Sequence, residues 1–183
     1  MKELSLHILD VAQNSVTAKA VNIRIEIQED TQKNTFLILI EDDGKGMSEE
    51  VLKKVTDPYF TSRTTRHVGM GVPLLKQNAE MAGGSFQITS EPGKGTLVKA
   101  LFQHKHYDRP PLGDMPGVIS MMVSSNPDLE WVYKHSKNGQ TFVFDTREVK
   151  EALEGIPLSE PSVNGYLKEM IEENLKEMEV DLF

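Results

Sequence analysis

Phe36-Leu37-Ile38-Leu39-Ile40-Glu41-Asp42-Asp43-Gly44-Lys45-Gly46-Met47 joins five consecutive apolar residues to an acidic, glycine-rich turn. A short apolar run bounded by polar residues reads as a strand near the centre of a sheet. Upstream, Val21, Ile23, Ile25 and Ile27 alternate with Asn22, Arg24, Glu26 and Gln28, the period of two expected of a strand with one buried face. Polar residues from Asp30 to Asn34 supply the turn between the two. Before them, Leu4, Ile8, Leu9, Ala12 and Val16 recur at helical spacing, which predicts an amphipathic helix from Leu4 to Ala20.

Downstream, Ser48 followed by Glu49 and Glu50 predicts the capped start of a short helix reaching Lys54. From Thr56 to Val68 no apolar period survives, so a loop is expected. A helix then runs from Gly71, with Pro73 in its first turn, to Ala82, where Gly83-Gly84 stops it. Ser85 to Ser90 and Thr96 to Phe102 read as strands joined by the turn Glu91-Pro92-Gly93-Lys94-Gly95. Helices alternating with a partly antiparallel sheet make an α+β layered domain.

With 183 residues, the chain has room for one ordinary domain and an appendage. Asp108-Arg109-Pro110-Pro111 resembles a hinge, which divides it into a domain over 1–105 and a small α+β C-terminal region over 106–183. In that region the pattern predicts a helix from Asp114 to Ser124, a hairpin from Leu129 to Phe144 turning at Asn138-Gly139, and helices at Arg147 to Glu154 and Val163 to Glu177. Met170, Ile171, Leu175 and Met178 form one side of the last helix and are expected to pack on their own domain.

A composition of 38% hydrophobic and 26% charged residues is that of a folded globular protein. The formal net charge of -8 argues against nucleic acid as a partner, because little surplus cation is available to displace counterions from a phosphate backbone. No cysteine is present, which excludes disulfides, thiolate metal sites and thiol nucleophiles. Met1 to His7 carries an early acid and no long apolar run, so neither a signal peptide nor a membrane span is expected, and the reading is a cytoplasmic, soluble protein.

Three segments hold candidate chemistry. Asp10 and Asn14 are four residues apart on one predicted helix and face the same way. An amide oxygen there can ligate Mg2+ bridging to phosphates, and the carboxylate can act as a general base on water or a hydroxyl. Both are also what the polar face of any helix carries. Asp42, at a strand end, can accept from the exocyclic amine of adenine, where guanine would present a carbonyl. Gly44 and Gly46 would let backbone approach a flat ring, although Asp-Gly is equally a hairpin turn. Third, His67-Val68-Gly69-Met70-Gly71-Val72 precedes a helix start that favours phosphate, behind a loop carrying Arg63, Arg66 and several hydroxyls.

In that order the segments resemble the GHKL ATPases, the family of histidine kinases, gyrase B, MutL and the ninety-kilodalton heat-shock chaperone, over roughly Leu4 to Phe102. Asp10 to Asn14 is similar to the N box, Asp42 to Gly46 to the first glycine box and Gly69-Met70-Gly71 to the second. Gly83-Gly84-Ser85-Phe86 to Gly93-Lys94-Gly95-Thr96 resembles the last stretch, whose threonine supports the adenine aspartate, and Phe60 the aromatic preceding the lid. The resemblance implies a Bergerat fold, a two-layer α/β sandwich of mixed sheet with helices on one face, binding ATP and Mg2+. It implies nucleotide contacts from Asn14, Asp42, Gly44, Gly46, Met47, Phe60, Arg63, Val68, Gly69, Met70, Gly71 and Thr96, the metal on Asn14 and a catalytic acid at Asp10. His67 stands where many histidine kinases have glycine, and Asp10 where gyrase B and MutL have glutamate.

The function this implies is that of a stand-alone histidine-kinase-like catalytic domain, passing phosphate to a separate protein or regulating a partner with ATP. Three residues precede the first helix, so the phosphoacceptor is expected elsewhere, and His7 is expected to be structural or phosphate-side. The alternatives are hydrolysis coupled to homodimerisation, or a nucleotide sensor or anti-sigma-type serine kinase.

Overall fold

The computed structural model describes residues 2–56 and 70–183. In chain order it contains α1 (Leu4–Thr17), β1 (Asn22–Asp30), β2 (Thr35–Asp42), α2 (Glu49–Val55), α3 (Gly71–Met81), β3 (Ser85–Glu91), β4 (Gly95–Gln103), α4 (Met115–Ser125), β5 (Glu130–Lys137), β6 (Gln140–Asp145), α5 (Thr146–Ala152) and α6 (Pro161–Glu177). One sheet holds all six strands in the order β3-β4-β2-β1-β5-β6. Among the described residues only the β1–β5 pair is parallel, so the sheet is mixed, in keeping with the α+β expectation.

Alternation decides which face is covered. Ile23, Ile25 and Ile27 of β1, Phe36, Ile38 and Ile40 of β2, Val98, Ala100 and Phe102 of β4, and Trp131 and Tyr133 of β5 are buried in a single core. That core is closed by Leu4, Ile8 and Val11 of α1, Val72 and Leu75 of α3, Val118 and Met122 of α4, and Leu167, Ile171 and Leu175 of α6. The opposite face carries Arg24, Glu26, Gln28, Glu41, Lys99 and Lys134. The result is two layers, sheet and helices.

Two local differences from the sequence pattern have physical causes. Helix α1 ends at Thr17 rather than Ala20 because Lys19 adopts φ 61° and the amides of Lys19 and Ala20 donate back to the carbonyls of Val16 and Ser15, which closes the helix end. The expected hinge is packed down: the Arg109 guanidinium lies 4.8 Å from the centre of the Phe36 ring and Nε donates to the His104 carbonyl at 2.7 Å. The carbonyls of Pro111 and Leu112 accept from the amides of Leu4 and Ser5 at 2.9 and 2.8 Å, so this segment satisfies donors at the start of α1 that no side chain caps.

Beyond it, β5 lies along β1 from Asn22↔Glu130 to Glu29↔Lys137 and extends the same sheet. Strand β6 follows through Asn138 and Gly139, with φ 48° and 89°, the paired left-handed conformations of a two-residue hairpin. The last helix buries Val163, Leu167, Ile171 and Leu175 in the common core.

Candidate functional site

Asp42 ends β2 directly beneath the C-terminal half of α1. Between these elements, α2, the first turn of α3 and the β3–β4 pair lies a cavity of about 190 Å³. Its walls are largely apolar, with Val11, Ile40, Met47, Val72, Ile88 and Val98 among them, and Asn14, Ser15, Thr17, Asp42, Lys45 and Thr96 bring the polar groups. A mainly apolar hollow with a few convergent polar atoms is the ordinary form of a small-molecule site.

Both oxygens of Asp42 are engaged. Ser15 donates its hydroxyl to Oδ2 at 2.6 Å and the Gly44 amide donates to Oδ1 at 2.9 Å. An ionised carboxylate accepts about four hydrogen bonds, so lone pairs are left for a ligand donor. The neighbouring acid does something different. Asp43 Oδ1 accepts from the amides of Val21 and Asn22 at 2.8 and 2.9 Å, and Oδ2 from the Asn22 side chain at 2.7 Å. Burial pushes the Asp43 carboxyl up, but these bonds hold it below its ordinary value. Asp43 fastens the turn to β1, while Asp42 is left to face the cavity.

The resemblance expects Thr96 to support Asp42. The two are register partners in the β2–β4 pair, but the side-chain oxygens of Asp42 are held by Ser15 and Gly44, while Thr96 Oγ1 lies 2.9 Å from Ser90 Oγ. Ser15 is the residue that sequence reasoning missed. It falls in the buried series Ile8, Val11, Ala12, Ser15, and a hydroxyl on an otherwise apolar stripe needs a partner. Ser90 and Lys45 were also missed as site neighbours, and no local signal distinguishes them.

The glycines are required by the protein itself. A Cβ on Gly44 would stand 2.9 Å from both the Cβ and the carbonyl oxygen of Ala18. Gly46 has φ 65°, and a Cβ there would run into the carbonyl of Glu91. Whatever ligand the cavity takes, both glycines thus already admit parts of the protein, Gly44 the α1 end and Gly46 the end of β3. Gly71 likewise abuts Asp10, letting the start of α3 touch α1.

Asn14, Asp42, Gly46, Met47 and Thr96 thus line one cavity, and Gly44 braces its rim. Asp10 and Gly71 sit together one turn along α1, at the α1–α3 contact, outside the cavity lining. Burial raises the Asp10 pKa above its ordinary value. Met70 is exposed at the start of α3. Phe60, Arg63, Val68 and Gly69, with Arg66 and His67, lie outside the described residues. His7 is 1% exposed, and its burial depresses the pKa to about 4, so at neutral pH its Nε2 accepts from Asn78 Nδ2 at 2.9 Å. It holds α1 to α3.

Among the described residues no cluster of three His, Cys, Asp or Glu could hold a metal, and no helix is long and apolar enough to cross a membrane. Residues 2–106 match the family described as histidine kinase-, DNA gyrase B-, and HSP90-like ATPase. The sensor protein DegM of Bacillus sp. (strain B21-2) is 33% identical over 91 residues, which are 50% of this chain and 24% of DegM. The sensor histidine kinase YxdK of Bacillus subtilis (strain 168) is 29% identical over 109 residues, 57% of this chain and 34% of YxdK. The chain therefore spans only a minor part of the length of these relatives. Among solved structures, the ATPase domain of Aquifex aeolicus MutL complexed with ADP superposes with a TM-score of 0.53 at 17% identity, covering 84% of this chain and 70% of that one. Identity that low speaks to the fold alone.

Proposed function

The chain belongs to the histidine kinase-, DNA gyrase B-, and HSP90-like ATPase family, and from that premise we propose that it binds Mg-ATP in the cavity between α1 and β2 and acts as a histidine-kinase-like catalytic domain upon a protein partner. Asp42 carries this reading. It is an acceptor at the floor of an apolar hollow, oriented by Ser15 and Gly44 and able to take the amino group of adenine. A 6-oxo purine would bring a carbonyl against it. The polyphosphate would extend past Asn14 toward the N-terminus of α3, whose second residue, Val72, lines the cavity and whose dipole favours anions.

The donor set fits magnesium. The ion takes hard oxygen ligands, keeps several waters and needs few from the protein when phosphates share it, so one amide oxygen, that of Asn14, suffices. Bound there, Mg2+ would neutralise phosphate charge. The sensor relatives favour phosphotransfer to a protein acceptor over a purely structural role. Isothermal titration with ATP, ADP and GTP, with and without magnesium, tests the nucleotide reading: adenine-selective, magnesium-enhanced binding is expected, and indifference to adenine compounds overturns it. Labelled ATP incubated with candidate partners tests the transfer, with label expected on a histidine, aspartate or serine of one of them.

Asp10 favours a second reading, ATP hydrolysis, with a homodimer as its natural setting. Its carboxyl is raised by burial and stands against the first residue of α3, on the side where the phosphates would lie.

A further inference from the structure

Ser90, Thr96 and Asp42 form one row across the sheet, since Ser90 pairs with Thr96 in β3–β4 and Thr96 with Asp42 in β2–β4. Thr96 and Asp42 line the nucleotide cavity and Ser90 does not. Ser90 Oγ makes three contacts: the Met47 amide donates to it at 2.9 Å, it lies 2.8 Å from the Gly95 carbonyl oxygen, and it lies 2.9 Å from Thr96 Oγ1. A hydroxyl has one proton and two lone pairs. A carbonyl can only accept and an amide can only donate. One distribution of protons satisfies all three contacts: Ser90 gives its proton to Gly95, and receives one from Met47 and one from Thr96. That saturates Ser90 and commits the Thr96 proton to it.

We propose that Ser90 is a positioning residue that holds Thr96 as a hydrogen-bond acceptor toward the cavity, so that the floor of the nucleotide site offers acceptors only. The same counting applies to its neighbours. Ser15 directs its proton at Asp42 Oδ2, and a carboxylate is an acceptor only. Ser15, Asp42 and Thr96, which all line the cavity, are therefore left with only lone pairs to offer a base bound there. This deepens the adenine reading and rests on it. A 6-amino purine turns two protons toward such a floor, whereas a 6-oxo purine turns a carbonyl toward three acceptors with no proton among them. Discrimination is then set partly by Ser90, which touches no ligand. If the Ser90 hydroxyl is removed, the Thr96 proton is released to swing into the cavity, where it can bond a 6-oxo group.

The test is titration with ATP and with inosine triphosphate, which carries a 6-oxo group and an N1 proton in place of the 6-amino group and bare N1, on the same sugar and phosphates; because N1 is the same in every variant, the change in the ratio on substitution is the quantity read. In Ser90→Ala the ratio of the two affinities is expected to fall by about five- to tenfold, the worth of one hydrogen bond, through a gain for the 6-oxo nucleotide. Ser90→Thr, which keeps the hydroxyl, should retain the wild-type ratio. In a Thr96→Val background Ser90→Ala should leave the ratio unmoved, because the group it acts through is gone. That last comparison separates positioning from a general loosening of the Met47 turn, which would alter both nucleotides alike in either background. Should Ser90→Ala fail to fold by circular dichroism, Ser90→Cys keeps the volume, supplies a weaker acceptor and is read in the same way. An unchanged ratio in the folded variant, or an equal change in the Thr96→Val background, overturns the inference while leaving adenine binding intact. A wild-type protein that binds neither nucleotide overturns the reading beneath it instead.

Discussion

The Ser15 hydroxyl donates to Oδ2 of Asp42 across 2.6 Å, tying the end of a helix to the end of the strand beneath it. Because Ser15 is 3% exposed, no water replaces it readily. Ser15→Ala is expected to weaken ATP binding about three- to tenfold by freeing the carboxylate to rotate, and to lower the melting temperature slightly. Calorimetry on the folded variant checks this, and unaltered affinity would mean that Gly44 alone orients Asp42.

Asp42→Asn turns one acceptor oxygen into an amide donor, so that either Ser15, which donates to Oδ2, or Gly44, which donates to Oδ1, faces another donor and one acceptor for the adenine amine is lost. A loss of roughly 1–3 kcal/mol in ATP binding is expected. Full affinity in that variant would mean that the purine is read elsewhere.

Gly46→Ala and Gly93→Ala make an informative pair. Both glycines have positive φ, 65° and 78°, so both substitutions strain the backbone. Only at Gly46 would the added methyl collide with the Glu91 carbonyl, whereas nothing lies within 4 Å of one added at Gly93. Urea denaturation should therefore show about 1 kcal/mol lost at Gly93 and clearly more at Gly46, with nucleotide binding impaired in the latter alone.

Far from the cavity, at the other end of β1, Glu29 receives His135 Nε2 and His104 Nε2 on its two oxygens, each at 2.7 Å. His135 Nδ1 in turn meets the Tyr133 hydroxyl at 2.8 Å. Burial pushes the Glu29 carboxyl up, but the bonds from the two histidines, with attraction from His135 and Lys137, leave it below its ordinary 4.5. A folded pKa below the unfolded one means stability that is present above 4.5 and lost as pH falls through the folded value. Thermal melts from pH 6 down to about pH 3 should show this loss, and Glu29→Gln should flatten the part of the slope that belongs to this group. A slope identical in both proteins would assign the acid sensitivity to other carboxylates.

Asp10→Asn separates binding from chemistry. If Asp10 is a general base, turnover of ATP should vanish while calorimetric affinity stays nearly the same. An unchanged rate eliminates the hydrolytic reading and leaves phosphotransfer or sensing.

Periodicity made the strands and helices legible because each buries one face, and a covered face leaves its mark at every second or every third and fourth residue. Asp42, Asn14, Gly46, Met47 and Thr96 were legible for another reason: they stand at ends of those elements in a familiar order. What stayed hidden is what depends on cross-chain geometry. The partner of Asp43 was not legible: while Asp42 faces the cavity, Asp43 takes two bonds from Asn22 at the start of β1 and one from Val21 just before it. Ser15 is plain only once β2 is known to pass below it, and Gly44 and Gly46 only once Ala18 and Glu91 are seen against them. Likewise Arg109 beside two prolines reads as a swivel until the Phe36 ring under it is found.

The parallel seam between β1 and β5 also bears on how the molecule is made. Among the described residues up to 106, the reach of the family match, none pairs with one long side of β1, whose amides and carbonyls would be free to recruit another ribbon of chain. That side stays unclaimed until the ribosome has delivered residues 130–137, so the emerging polypeptide must either delay its own consolidation or be shielded meanwhile. A fragment cut at the family boundary would carry that exposure permanently, and would be expected to stack on itself.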